Sequence, residues 1–333
     1  MKYAVIGAGS WGTAVASLIA SSVETVVWSR NVDVATDIND NNRNSAYLDG
    51  FDLPTSIRAT TEITDAVADA DVVVMAVPSH GYRGVLDSCA QHIGPSTPVL
   101  SLAKGIEQDT LMRMTEVTLD VLQAHDPMVV GVLTGPNLAR EIMQGQPAAT
   151  VIALGDHATA TEMQRVFMGS TFRVYTNPDV VGSEIAGAVK NVMAIASGMA
   201  AGKGFGDNTL ATLITRALVE MTRLGVAVGG DVRTFPGLAG LGDLIATCNS
   251  SQSRNHIVGF GLGQGRTLDE ITSEMNMVAE GIKSTSGILE LAQRHGVDMP
   301  IARQVGRVLY DGLDPTKALT ELMTREAKSE FGS

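Results

Sequence analysis

Residues 2–20 read KYAVIGAGSWGTAVASLIA, and their reading decides the fold of the first half of the chain. A short apolar run, Lys2–Ile6, meets Gly7, Gly9 and Gly12. An alanine-rich stretch carrying Val15, Leu18 and Ile19 follows. The run suits a strand buried on both faces, and the stretch suits a helix. The Gly-x-Gly-x-x-Gly spacing therefore falls at a strand-to-helix turn, the setting that a dinucleotide fingerprint requires. Gly7 permits the tight turn, Gly9 lets the backbone approach a pyrophosphate, and Gly12 lets helix pack closely on strand. The helix N-terminus offers unpaired N–H groups and a positive dipole end to phosphates. A tight turn without a ligand is the alternative.

The same alternation continues outward. Apolar runs recur at Thr25–Trp28, Asp71–Val77, Pro98–Leu102, Met128–Leu133, Thr150–Leu154 and Phe172–Tyr175, with helical patterns between most of them. This predicts a doubly wound, Rossmann-like, mostly parallel sheet with helices on both faces. The run 71–79, DVVVMAVPS, reads as a central strand ended by Pro78. After Asn177-Pro178-Asp179 the pattern becomes helical. Apolar residues at 185, 189, 192, 196 and 199 have helical spacing. A further helix over NTLATLITRALVEMTRLG is expected to close at Gly225, and SGILELAQRHG at Gly296. No strand is expected beyond residue 180. The division predicted is a dinucleotide-binding domain over 1–178 and an all-helical substrate domain over 179–333, with a cleft between them.

A chain of 333 residues is long for one core. Its 44% hydrophobic and 18% charged content is that of a globular protein. With 35 Gly and only 4% aromatic residues, its helices are expected to pack on small side chains. The net charge of −12 argues against a nucleic-acid or anionic-membrane partner, though not against a local basic pocket. The two cysteines, Cys89 and Cys248, form no disulfide framework and suit a reducing compartment. No metal-ligand spacing is present, no signal peptide precedes the first strand, and no apolar run reaches the ~18 residues of a membrane span. A cytoplasmic protein without stable membrane insertion is expected.

Several residues could carry chemistry. Ser29 and Arg30 stand where an NAD site places an acid for the ribose 2′-hydroxyl. A guanidinium there pairs with a 2′-phosphate, so NADP(H) is preferred, with NAD(H) still usable; the alternative is a solvated surface arginine. Lys104 lies just past a strand, as do Gly135 and Asn137, at the sheet edge where ligands bind. Lys104 could equally be an exposed loop lysine. Lys190 sits among Ala188, Val189, Val192 and Met193. It either snorkels to solvent or, if buried with a lowered pKa, gives a proton to a carbonyl oxygen. Asp243 stands in a Gly-rich apolar segment, and Thr247, Ser253, Arg254 and Asn255 follow in what reads as a polar loop suited to a phosphate or carboxylate, or simply to helix capping. Glu280 reads on pattern alone as a solvated helical acid.

Taken together these segments are similar to a known family. GAGSWGTAVA, VPSH, AKGIE, TGPNLARE, FRVYTNPD, GAVKNVMAIASG, GFGDNTLATLITRALVEMTRLG, GLAGLGDLIATC, QSRN and MVAEG run in order from Gly7 to Gly281. In that order they closely resemble bacterial NAD(P)-dependent sn-glycerol-3-phosphate dehydrogenases. The resemblance implies reversible reduction of dihydroxyacetone phosphate to sn-glycerol 3-phosphate, a phospholipid precursor. It implies that Lys190 is the proton donor and acceptor, that Lys104 touches both cofactor and substrate, and that Gly135, Asn137, Asp243, Thr247, Ser253, Arg254 and Asn255 line the substrate site. Gly7, Gly9, Ser10, Trp11, Gly12, Arg30, Lys104, Ala139, Arg254, Val278 and Glu280 would contact the dinucleotide, and a homodimer is an assembly it allows. Asn137 departs from the family's usual Ser or Thr, but an amide can still donate a hydrogen bond. Asp49 replaces a proline common after Tyr47-Leu48, in a loop expected to lie outside the chemistry. Two rivals share the front half: another Rossmann-plus-helical dehydrogenase of a small hydroxy acid, and a non-catalytic NADP(H)-binding sensor. A sensor has no need of Lys190 or Asp243, and the other dehydrogenases lack GAVKNV combined with GLGDL and SRN.

Overall fold

The computed structural model describes residues 1–275, 279–327 and 329–330. Its first part alternates strand and helix: β1 (Lys2–Ile6), α1 (Ser10–Ile19), β2 (Glu24–Trp28), α2 (Val32–Asn41), β3 (Ile57–Thr60), α3 (Ile63–Val67), β4 (Val72–Met75) and α4 (Ser79–Asp87). There follow β5 (Val99–Ser101), α5 (Met114–Val121), β6 (Val130–Thr134), α6 (Ala139–Met143), β7 (Ala148–Ala153), α7 (His157–Phe167) and β8 (Phe172–Asn177). The eight strands form one sheet in the order β3-β2-β1-β4-β5-β6-β7-β8. Every pairing is parallel except β6 with β7.

The continuous apolar runs become strands covered on both faces. Tyr3, Val5, Val27 and Val74 point into one layer of core, and Ala4, Ile6, Val26 and Met75 into the other. Each Val, Ile or Met side chain among them, taken out of water, stabilises the fold by about 1.5–3 kcal/mol. Two local boundaries need correction, and two features carry no signal in the sequence reading. β3 has no strong sequence signal, because an edge strand of four residues with an exposed Arg58 buries only alternate side chains. β4 ends at Met75, and Pro78 instead precedes the first turn of α4, where its missing N–H costs nothing. The run beginning at Met128 starts as a 3₁₀ turn over Pro127–Val129 before β6. The sheet reverses at β7, which antiparallel pairing attaches to β6.

The second part is helical: α8 (Val180–Gly202), α9 (Asp207–Ala227), α10 (Asp243–Asn249), α11 (Arg254–Gly263), α12 (Leu268–Ser273), α13 (Glu280–Arg294), α14 (Pro300–Asp311) and α15 (Pro315–Met323). Gly225 does not stop α9. It lies within the helix, where a Cβ would overlap the Phe235 ring, and the chain turns at Gly229 with φ +102°. Gly296 does follow α13 with φ +65°. α8 is the axis of this half, buried against α9, α10, α11, α13 and α14. Although no long apolar run is evident in the sequence, α8 is long and apolar enough to cross a membrane, with mean hydropathy 1.3. Here 89% of that stretch is covered by the rest of the protein.

Candidate active site

The glycine turn between β1 and α1 has a different physical reason at each position. Gly7 has φ +121°, and a Cβ there would come within 2.7 Å of the Ala76 carbonyl oxygen. A Cβ on Gly12 would overlap the Gly7 carbonyl. At Gly9 nothing lies within 4 Å, so the backbone faces open space. Gly9 caps α1 without a side-chain bond, and the first turn of α1 carries no acidic residue. A first turn without a carboxylate, entered through Gly9, fits an anionic pyrophosphate. Ser10 Oγ donates to the Tyr47 carbonyl at 2.6 Å. The Trp11 indole N–H is buried without a hydrogen-bond partner among the described residues. Arg30 is exposed two residues past β2, beside a buried Ser29. Ala139 opens α6. Val278 lies outside the described residues.

The centre of the site is one carboxylate shared by two ammonium groups. Lys190, midway along α8, donates to Asp243 Oδ1 at 2.7 Å and to Thr247 Oγ1 at 2.6 Å. Lys104, in the loop after β5, donates to Asp243 Oδ2 at 2.6 Å and to the Gly135 carbonyl at 3.0 Å. Thr247 lies one turn beyond Asp243 on α10 and donates to Asp243 Oδ1 at 3.1 Å. A π-helical turn over Leu238–Gly242 delivers Asp243 to this point. That turn folds tightly on Phe235, whose carbonyl a Cβ on Gly240 would overlap. Lys190 is 6% exposed and Asp243 1%, so Lys190 does not snorkel, and Lys104 is no exposed loop lysine. Burial pulls the Lys190 ammonium from 10.5 down to about 8 against the Asp243 charge, and Lys104 adds to the fall. Burial alone would raise the Asp243 carboxyl, but the Lys104 and Lys190 charges beside it outweigh burial and hold it low.

Around this pair the structure gathers a polar wall. Thr247 lies on α10, and Arg254 and Asn255 form the first turn of α11, so the stretch expected as a polar loop is mostly helix. Ser253 caps α11 through the His256 N–H at 3.3 Å. Asn255 Nδ2 donates to Asn191 Oδ1 at 3.0 Å, and its Oδ1 accepts from the Gly281 N–H at 2.9 Å. Asn191 Nδ2 in turn donates to the Lys104 carbonyl at 2.9 Å. This relay joins the β5 loop to α8, α11 and α13. Sequence reading missed Asn191 as a site residue; its one signal was a second polar side chain beside Lys190 in an apolar helix. Glu280 is no solvated acid. It is half-buried and accepts from the Ser79 N–H at 3.1 Å. Burial pushes its carboxyl up against that bond and the nearby Arg254 charge.

Polar atoms without partners also collect here. Asn137 Nδ2 donates to Thr150 Oγ1 at 3.0 Å, but the Asn137 Oδ1 and Thr134 Oγ1 atoms are buried without partners among the described residues. Thr134 lies beside Lys104 across Gly187 of α8. Unsatisfied polar atoms near Lys104 suit a ligand that carries hydroxyl groups. A second clasp was not foreseen: Glu184 of α8 is buried and accepts from Arg113 Nη1 at 2.7 Å and the Thr115 N–H at 3.0 Å. It fixes the start of α8 to α5. A cavity of about 1100 Å³ between α9, α14 and residues 319–330 contains none of these residues. Chemistry rather than volume locates the site.

Residues 2–160 match the family described as NAD-dependent glycerol-3-phosphate dehydrogenase N-terminus, and residues 179–320 the family described as its C-terminus. The glycerol-3-phosphate dehydrogenase [NAD(P)+] of Mycobacterium avium is 53% identical over 313 residues, 93% of this chain and 91% of that protein. The enzyme of the same name from Thermobifida fusca is 49% identical over 99% of this chain and 98% of its own length. The crystal structure of glycerol-3-phosphate dehydrogenase from Coxiella burnetii superposes with a TM-score of 0.92 at 34% identity, covering 97% of this chain and 99% of that one. With both halves of the fold matched and the relatives covered nearly end to end, the chain belongs to the NAD-dependent glycerol-3-phosphate dehydrogenase family.

Proposed function

We propose that this protein catalyses the reversible NAD(P)-dependent reduction of dihydroxyacetone phosphate to sn-glycerol 3-phosphate, with Lys190 as the proton donor. The observation that carries the reading is the buried Lys190–Asp243–Lys104 clasp at the carboxyl edge of the sheet. When bound, the nicotinamide supplies a hydride to the keto carbon. Lys190 gives its Nζ proton to the carbonyl oxygen, and a pKa of about 8 suits that transfer near neutral pH. Lys104 stabilises the negative charge growing on the same oxygen. Asp243 and Thr247 aim the Lys190 ammonium. Arg254 and Asn255 hold the phosphate with the help of Ser253, and Gly135 and Asn137 line the other side. Phosphate binding remote from the carbonyl then orients the reacting carbon.

In this reading the glycine turn, Ser10, Trp11, Ala139, Val278 and Glu280 hold the dinucleotide, and Arg30 favours NADP(H). The chain divides at Pro178, between β8 and α8, and the protein works in the cytoplasm, where a homodimer is the assembly to test for by sedimentation. The test of function is NADPH oxidation with dihydroxyacetone phosphate beside dihydroxyacetone. The phosphate ester should be turned over with kcat/KM at least about a hundredfold higher, because the phosphate contacts serve the transition state. Equal use of the two ketones, or use of neither, overturns the proposal.

A further inference from the structure

Three basic side chains, Arg30 and Lys283 as cations and His80 as a neutral imidazole, stand within electrostatic reach of one another, and they come from three different segments. Arg30 follows β2 by two residues, His80 is the second residue of α4, and Lys283 lies in the first turn of α13. Ile6 of β1 is in register with both Trp28 of β2 and Met75 of β4. The ends of β2 and β4 are therefore roughly 10 Å apart, two strand spacings. α13 is fastened to the start of α4: the Ser79 N–H donates to Glu280 Oε1 at 3.1 Å, and the Ser79 and Ser284 hydroxyls close on the same side of Gly105. His80 and Lys283 are direct neighbours of that fastening in sequence. All three side chains are exposed, and none makes a side-chain hydrogen bond or ion pair among the described residues. Arg83, one turn further along α4, is by contrast committed to Glu107 and Asp120. Burial, then the Lys283 and Arg30 charges, hold the His80 imidazole below its ordinary value, so the two cations already act on one point. Glu280, on the same turn of α13 as Lys283, accepts from the Ser79 N–H.

A dinucleotide on such a sheet presents its adenosine ribose 2′-oxygen at the end of β2. We propose that the neutral His80 imidazole, as a hydrogen-bond donor, and the Lys283 ammonium join Arg30 in a site for the 2′-phosphate of NADP(H). Cofactor choice is then set by α4 and α13 as well as by the residue after β2. This inference rests on the reading of the glycine turn as a dinucleotide site. In a chain of net charge −12, an unpaired cluster of this kind is the local feature that gives a phosphate somewhere to settle.

The test is calorimetric binding of adenosine 2′,5′-bisphosphate and of adenosine 5′-phosphate to the full chain, without turnover. The proteins are the parent, Arg30→Ala, His80→Gln and Lys283→Ala, each checked by a melting curve. All three variants should bind the bisphosphate roughly tenfold or more weakly, the scale of one charge-assisted contact. Their affinity for the monophosphate should stay within about twofold, since that ligand lacks the group the cluster holds. Bisphosphate affinity that falls in Arg30→Ala but is unchanged in both His80→Gln and Lys283→Ala would overturn the inference while leaving the dinucleotide reading intact. Equal losses for both nucleotides would also overturn it. A parent that binds neither nucleotide would overturn the dinucleotide reading and this inference with it.

Discussion

Asp243 answers two ammonium groups with its two oxygens, and much of the site's chemistry is set at that residue. The pair is buried, so removing one partner leaves uncompensated charge; breaking buried pairs of this kind costs about 3–5 kcal/mol. The depressed Lys190 pKa has a sign that can be checked. As the proposed proton donor in reduction, Lys190 must be protonated, so kcat/KM should fall as pH rises through about 8. Asp243→Asn removes the charge that opposes this depression, so the alkaline limb should move to lower pH, with activity at neutral pH reduced about a hundredfold. A pH–rate profile of both proteins is the measurement. Stability follows the same groups. Between about 8 and 10.5 the unfolded chain holds the Lys190 proton more tightly than the folded one, so stability rises with pH across that window. Asp243 works at the other end: its folded value is held low, so its contribution is complete above the ordinary carboxylate range and is lost as pH falls through its own value.

At the scale of elements, α8 and α11 are joined by matched glycines. A Cβ on Gly259 would overlap the Ile195 carbonyl, and one on Gly198 the His256 carbonyl; Gly202 and Gly263 repeat the contact one turn on. The two backbones approach because neither side has a side chain between them. This seam fixes where the first turn of α11, with Arg254 and Asn255, stands relative to Lys190. Gly259→Ala should destabilise the fold by about 1–3 kcal/mol through overpacking and raise the KM for dihydroxyacetone phosphate. Gly84→Ala in α4, where nothing lies within 4 Å, should be neutral or slightly stabilising. Urea melts of the two variants compare them directly. The seam's ingredient was legible in the sequence as abundant glycine with few aromatics, but its location was not. Periodicity reports which face of a helix is apolar, not which partner it meets. Likewise the doubly buried strands were legible from their apolar runs, while β3 and the reversal at β7 were not. A short edge strand has little apolar signal, and an apolar run buried on both faces reads the same whichever way it runs beside its neighbour.

For the whole molecule, the chain is acidic yet concentrates Lys104, Lys190 and Arg254 within electrostatic reach of Glu280, in the place proposed for a phosphorylated substrate. The sequence marked the glycine turn and the odd lysine in an apolar helix, because each breaks a local pattern. It could not show that Asp243 joins Lys190 and Lys104, since those partners lie 53 and 139 residues away. Nor could it show the Asn191–Asn255–Gly281 relay, which exists only once α8, α11 and α13 have packed, or the Glu184–Arg113 clasp, which exists only once the helical half has closed on the first half. The central claim is that this closure places a proton donor, Lys190, over a ketone held by its phosphate. The most direct measurement is steady-state reduction of dihydroxyacetone phosphate by Lys190→Ala and Lys190→Arg, with NADPH titration and a melting curve on the same preparations. Lys190→Ala should lose at least about a hundredfold in kcat with NADPH affinity little changed, and Lys190→Arg should rescue poorly because a guanidinium scarcely releases its proton. A folded Lys190→Ala protein with kcat near that of the parent would contradict the claim and move the proton to Lys104.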